Sequence, residues 1–222
     1  NLYSRIGYDS TRDFAPITLL ANLPYVFVVN AATPGRNVAE FIALAKQKPK
    51  ALNYGSTGNG TTAHLIAAMF AKATDVELTH VPYKGSVEAI TGLLGGQTQL
   101  MFDTLVATLP QIRAGKLRAL AVSTAFRAAL LADVPTLAES GVTGFDAGAW
   151  LGLVAPAGTP REIVIRLNQD VQKLLLTADV KDKLAGMGAE ILVSTPEQFQ
   201  AHIKSELAKW GRAVKDSGAR VE

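Results

Sequence analysis

Residues 55–62 read Gly-Ser-Thr-Gly-Asn-Gly-Thr-Thr, a spacing that nearly reproduces a phosphate-binding loop. Such loops place glycine, four residues, glycine, then lysine and a serine or threonine. Gly55, Gly60 and Thr62 fit, but Thr61 stands where the lysine belongs. Glycines let the chain turn tightly and leave amide hydrogens unobstructed. A following helix would add unpaired N–H groups and about half a positive charge. Ser56, Thr57, Asn59, Thr61 and Thr62 supply short neutral donors. Without the lysine, and with no carboxylate placed for magnesium, di- and triphosphates lose their main neutralising partner, so a compact carboxylate suits the loop better. One charge-assisted hydrogen bond contributes about 1.5–3 kcal/mol, whereas association costs about 4–15 kcal/mol. A second surface must therefore close over such a ligand.

Two further segments carry chemistry. In "YKGS", 83–86, Lys84 could lend positive charge and Tyr83 a hydroxyl or a ring wall; the plainer reading is a solvated lysine beside a packing tyrosine, with Ser86 capping a helix. In "FDTL", 102–105, Asp103 could accept a hydrogen bond from a ligand amine or hydroxyl, orient donors of the first loop, or simply cap a helix. Ser56, His64 and Asp103 are the residue types of an acyl-transfer triad, yet the loop is not G-x-S-x-G. His64, His80 and His202 have no metal-ligand spacing. No metal, cofactor or catalytic residue is expected, and the chain is expected not to be an enzyme. The alternative from another class is a small α/β hydrolase or phosphate-handling enzyme using 55–62.

The elements that must position these loops follow from periodicity. "ALNYGS", "ELTHVPY", "QTQLMFD" and "LRALAVST" read as strands starting near 52, 78, 98 and 118. The helices "TTAHLIAAMFAKA", "SVEAITGLLGG" and "TLVATLPQIRAG" separate them. That rhythm predicts right-handed strand–helix–strand units and a parallel sheet covered by helices on both faces. Ligands bind such sheets where strands end and helices begin, which places all three segments on one edge. Before this region, "APITLLANLPYVFVVN" reads as two strands broken at Pro24, then a helix from Asn37 with Glu40 as its capping partner. After it come a strand containing Trp150, two helices, a short strand, and a last helix capped by Thr195 with Pro196 in its first turn. The flanking strands fit two layouts. In one they connect two lobes, with 31–147 forming the second lobe and 1–30 plus 148–222 part of the first. The other layout is one continuous α/β sheet.

The chain has 222 residues, 48% apolar and 18% charged, with net charge +3. No apolar run approaches the ~20 residues needed to cross a bilayer. Basic residues are scattered and interrupted by acids, which argues against nucleic acid. The absence of cysteine excludes thiolate chemistry and fits an oxidising compartment among others. The start of the chain, "NLYSRIGYDS", lacks the pattern of a signal peptide.

"DFAPITLL", "LNYGSTGNGTTAHL", "HVPYKGS", "LLGGQTQLMFDTL", "AGKLRALAVST", "DVPTLAESG", "WLGLVAPAGTP" and "STPEQF" occur in this order from about Tyr8 to Glu222. Together they resemble the Bug-type solute-binding proteins of tripartite tricarboxylate transporters. The resemblance implies a periplasmic, monomeric, two-lobed α/β protein of the type II-like periplasmic-binding-protein fold. It would close on a small mono- or dicarboxylate and present it to membrane permease subunits without itself being embedded in the membrane. The family's loop falls on Ser56, Gly58, Asn59, Gly60 and Thr61, its "PYKG" on Pro82–Gly85, and its "FD" on Phe102 and Asp103. Members of that family carry a further strand, a Pro/Gly-rich loop and a helix before the point where this chain starts. The opposite jaw is therefore expected in a longer natural protein.

Overall fold

The computed structural model describes residues 2, 3 and 6–220. Among these residues eight strands and seven α-helices build two sheets with their helices. The first sheet is antiparallel, with β1 (Phe14–Leu23) between β7 (Ala149–Pro156) and β8 (Glu190–Ile191). The second holds five strands in the order β4-β3-β5-β2-β6. These are β2 (Tyr25–Asn30), β3 (Asn53–Ser56), β4 (Thr79–Pro82), β5 (Leu100–Thr104) and β6 (Leu117–Val122).

The periodic strands β3, β4 and β5 pair in parallel as expected. The expectation of an uninterrupted parallel sheet is corrected by β2, which enters antiparallel between β5 and β6. Its sequence explains this place. "YVFVVN" is apolar on both alternations, and a strand buried on both faces reads as a continuous hydrophobic run. Phe27 and Val29 face one layer, which holds Phe41 of α1 (Val38–Gln47) and Phe70 of α2 (Thr62–Thr74). Val26 and Val28 face the other, with Ile90 and Leu93 of α3 (Ser86–Leu94) and Leu109 of α4 (Leu105–Arg113). Residues 25–30, expected with the flanking part of the chain, thus lie in the five-stranded sheet. Residues 1, 4, 5, 221 and 222 of that flanking part lie outside the described residues.

Local signals account for the helix ends. Asn37 accepts the Glu40 amide at 2.8 Å, and the Glu40 carboxylate returns to the Arg36 amide and the Asn37 side chain. Thr195 and Gln198 form a reciprocal capping box at the start of α7 (Pro196–Ser217). Between β8 and β7 in sequence lie α5 (Arg161–Leu175) and α6 (Ala178–Gly186). Asn168 of α5 donates to Ile17 O at 2.7 Å and Ser194 O at 2.8 Å, tying that helix to β1.

The chain crosses between the sheets at Pro24 and again at Gly148, and the two crossings lie side by side because Leu23 pairs with Ala149. The long helix α7 packs on both parts. Phe199 and Ile203 join Leu19 and Trp150 on the first sheet, while Ala213 and Val214 join Leu65 of α2. Midway, Glu206 accepts from Trp150 Nε1 at 3.1 Å and Trp210 Nε1 at 2.7 Å and pairs with Lys209. Burial works to raise its pKa, but Lys209 and the two indoles hold it below the usual carboxylate range.

Close approach decides one glycine. A Cβ on Gly152 would lie 2.1 Å from the Phe199 ring, which is fully enclosed. Gly152→Ala should lower the unfolding free energy by about 1–3 kcal/mol through overpacking, read as a reduced urea midpoint. An unchanged midpoint would mean that the ring has room to move.

Candidate functional site

β4, β3 and β5 end at one edge of the sheet, and each hands over to a helix whose N-terminus faces that edge. The order of the strands places 55–62 between 83–86 and 102–105. The loops touch where the Tyr83 carbonyl lies 3.6 Å from the position a Cβ would take on Gly58, and where the Tyr83 amide donates to Ser56 O at 3.0 Å. Gly58 and Gly60 have φ of +135° and +73°, values that side chains disfavour. The glycines therefore set the shape of the loop.

The expectation of bare nitrogens around Asn59 holds for the Asn59 amide and is corrected for its neighbours. The Gly58 amide donates to Ser56 Oγ at 3.2 Å, the Gly60 amide to His64 Nδ1 at 3.0 Å, and the Thr61 amide to Gly58 O at 3.4 Å. Asn59 donates its side chain to Arg220 O at 2.8 Å, and Leu2 packs over Gly60. Three of the loop amides are thus taken by its own hydroxyl and carbonyl groups and by the helix that follows, while the Asn59 amide has no partner among the described residues. Further open donors lie at the helix start. Thr61 is the N-cap of α2 but makes no side-chain cap bond. The amides of Thr62, Ala63 and His64 have no partner among the described residues, the condition that makes a helix N-terminus receptive to anions. Beside them the Thr57 hydroxyl donates to that of Thr61 at 3.1 Å, and Thr61 Oγ1 to Gly58 O at 2.8 Å.

The other candidate residues separate into edge and core. Lys84 is exposed next to the loop, its amide held by Glu88. Tyr83 is half-buried, its ring packs against Gly92 of α3 and its hydroxyl donates to Gln97 Oε1 at 3.2 Å, which turns it toward α3. Phe102 is enclosed by Phe27 and Phe70 in the sheet interior. Strand alternation sends Phe102 to that face and Asp103 to the other. Gly85, not Ser86, caps α3, and Thr104, not Asp103, caps α4.

Asp103 is 1% exposed. Its Oδ1 accepts the Thr104 amide at 2.7 Å, while Oδ2 has no partner among the described residues. Burial raises its pKa, opposed by the Ser86 hydroxyl and the Thr104 amide. Tyr25 lies close by and its pKa is raised by its own burial and then by the Asp103 charge, with the Thr62 hydroxyl opposing.

The sequence offered Ser56 and His64 only as residue types of a triad, with nothing to bring them together. The fold pairs Ser56 with His80, at 2.6 Å from Ser56 Oγ to Nε2. The parallel register, Tyr54 with His80 and Ser56 with Pro82, brings this about. Aligning the ends of the two strands would have located it. Ser56 is 0% exposed, so its hydroxyl holds the loop and is not presented to solvent. Among the described residues no cluster of His, Asp or Glu could hold a metal, and no helix is long and apolar enough to cross a membrane.

Residues 1–219 match the family described as Tripartite tricarboxylate transporter family receptor. The chain belongs to this receptor family. BugT of Bordetella pertussis (strain Tohama I) is 32% identical over 100% of this chain and 68% of its own length. Among solved receptors, Rpa4515 of R. palustris with adipate is 39% identical at a TM-score of 0.87, covering 99% of this chain and 74% of that one. MatC from Rhodopseudomonas palustris with bound malate is 32% identical at a TM-score of 0.79, covering 96% and 74%. These similarities bear out the resemblance to Bug-type receptors and the α/β periplasmic-binding-protein fold. The chain spans 63% to 68% of the length of the curated relatives that align with nearly all of it.

Proposed function

We propose that this chain is the capture component of a tripartite tricarboxylate-type transporter, binding a small mono- or dicarboxylate outside the cytoplasmic membrane, in the periplasm, for delivery to permease subunits. The observation that carries the reading is the first turn of α2. Its amides lack side-chain caps, hydroxyls surround it, and among the described residues no metal-binding cluster accompanies it. That combination favours a singly charged carboxylate group over a phosphate. Relatives crystallised with adipate and malate support the ligand class. In this reading Thr57, Thr61 and the α2 amides grip the carboxylate, Ser56, Gly58 and Gly60 shape the loop, Asn59 fastens it to the C-terminal segment, and Lys84 lends long-range charge. Asp103 sits behind the donors and holds the Thr104 amide at the start of α4.

The two sheets with their helices form the two lobes, with 31–147 and β2 on the loop-bearing side, and the ligand lies between them. The protein acts as a monomer and releases its ligand unchanged. The burial of Ser56 supports binding over hydrolysis.

Thr61→Ala removes a hydroxyl that supports Gly58 and faces the donor cluster. A lost charge-assisted hydrogen bond corresponds to about a tenfold or greater weakening. Calorimetry with succinate, malate and adipate should show this loss for whichever acid binds. Equal affinity in Thr61→Ala removes that residue from the site, and no heat with any carboxylate sinks the reading.

A further inference from the structure

Beneath the loop three rings from three elements form a stack. Tyr54 of β3 lies on His80 of β4 at 4.8 Å and 17°, and His80 lies on His64 of α2 at 3.9 Å and 13°. Both imidazoles are committed to the glycine loop, His80 through Ser56 Oγ and His64 through the Gly60 amide. We propose that His64 and His80 are positioning residues of the carboxylate loop, and that the loop keeps this shape only while His64 is neutral at Nδ1. The carboxylate role rests on the proposed function; the link between the stack and the loop does not.

The argument is one of donor and acceptor. The Gly60 N–H needs a lone pair, and His64 Nδ1 supplies it only when unprotonated, so the proton resides on Nε2. A proton on Nδ1 would set two donors against each other at 3.0 Å and drive the Asn59–Gly60 peptide away. His80 behaves differently, because its Nε2 can meet the Ser56 hydroxyl as donor or acceptor. Its contribution is the face it presents to His64, since two imidazolium rings at this separation repel.

Among the described residues few other charges face the pair. On β3 the facing titratable group is Tyr54, whose own burial raises its pKa to about 12, so it stays neutral. The Lys72–Asp216 ion pair between α2 and α7 lies two turns further along α2. On the β4 side the Lys50–Glu77 pair is exposed and precedes the strand. On the α3 side Glu88 turns back to the Lys84 amide. Burial lowers the pKa of His64, and burial together with His64 lowers that of His80 to about 4. Both rings are neutral near pH 7, and acid is what releases the loop.

Nitrogen-15 NMR of the protein tests this without any ligand. Between pH 8 and pH 4, His64 should hold the Nε2–H tautomer at the upper end. The Gly60 amide should be protected from exchange there and lose at least tenfold of that protection as His64 titrates. His64→Asn keeps an acceptor near the Nδ1 position and should retain protection at every pH, whereas His64→Leu should lack it throughout. Thermal melts of both variants separate a local change from failure to fold. Gly60 exchange that ignores the His64 titration, or protection that persists in folded His64→Leu, overturns the proposal. Parallel titrations with succinate, malate and adipate distinguish the two readings. A Gly60 response with no binding of any of these acids leaves the stack standing and removes the carboxylate role.

Discussion

Phe27→Ala should lower the free energy of unfolding by about 3–5 kcal/mol, the cost typical of deleting a fully enclosed phenylalanine. Phe27 sits on the antiparallel strand between β5 and β6 and has no exposed surface. Its ring meets Phe41 at 5.1 Å, Phe70 at 5.0 Å and Phe102 at 4.9 Å, so truncation removes three aromatic contacts and opens a void between α1, α2 and the sheet. Domains have only about 5–15 kcal/mol in total, so the loss is a large share. A urea titration reads it as a shift of midpoint at constant slope. Phe126→Ala, at a half-exposed ring, is the control and should change little. Similar midpoints for both variants would mean that the four-ring cluster does not hold the sheet.

The second large effect depends on pH. His80 has its folded pKa depressed from 6.5 to about 4, chiefly by burial and then by His64. The unfolded chain therefore binds a proton that the folded chain refuses. The stabilisation is fully present above about pH 6.5 and is lost as pH falls from there toward 4, below which both states are protonated. At about 1.4 kcal/mol per pH decade the shift converts to about 3 kcal/mol, and partial exposure of the ring reduces this to about 2 kcal/mol. His64, depressed in the same direction by burial, adds to the loss. Asp103, raised by burial, acts oppositely by favouring the folded state in acid. The measurement is therefore a difference. Unfolding free energies at pH 7.5 and 4.5 should fall more steeply for the natural sequence than for His80→Gln. Parallel profiles would remove the imidazole contribution.

The sequence made the helices and the edge strands readable because periodicity and caps are local. Asn37 with Glu40 and Thr195 with Gln198 needed only neighbours three residues apart. The placement of β2 was not readable in this way. A strand apolar on both faces declares its burial without naming its partners, and so "YVFVVN" gave no sign that it would part β5 from β6. The same loss of alternation hid that Phe102 faces the core while Asp103 faces the helix starts. The loop was recognisable as a glycine-rich turn before a helix, but the destination of its amides depended on a rotamer of His64 and on the register that sets His80 beside Ser56. Glu206 was equally opaque. An acid within an amphipathic helix is usually solvated, and only the return strand brings Trp150 to it.

The paired crossings at Leu23 and Ala149 have a mechanical consequence. Two connections so near each other confine any movement of one sheet against the other to the few backbone bonds at Leu23–Pro24 and Gly148–Ala149. The long final helix, packed on β1 at one end and α2 at the other, would act as a strap against such movement.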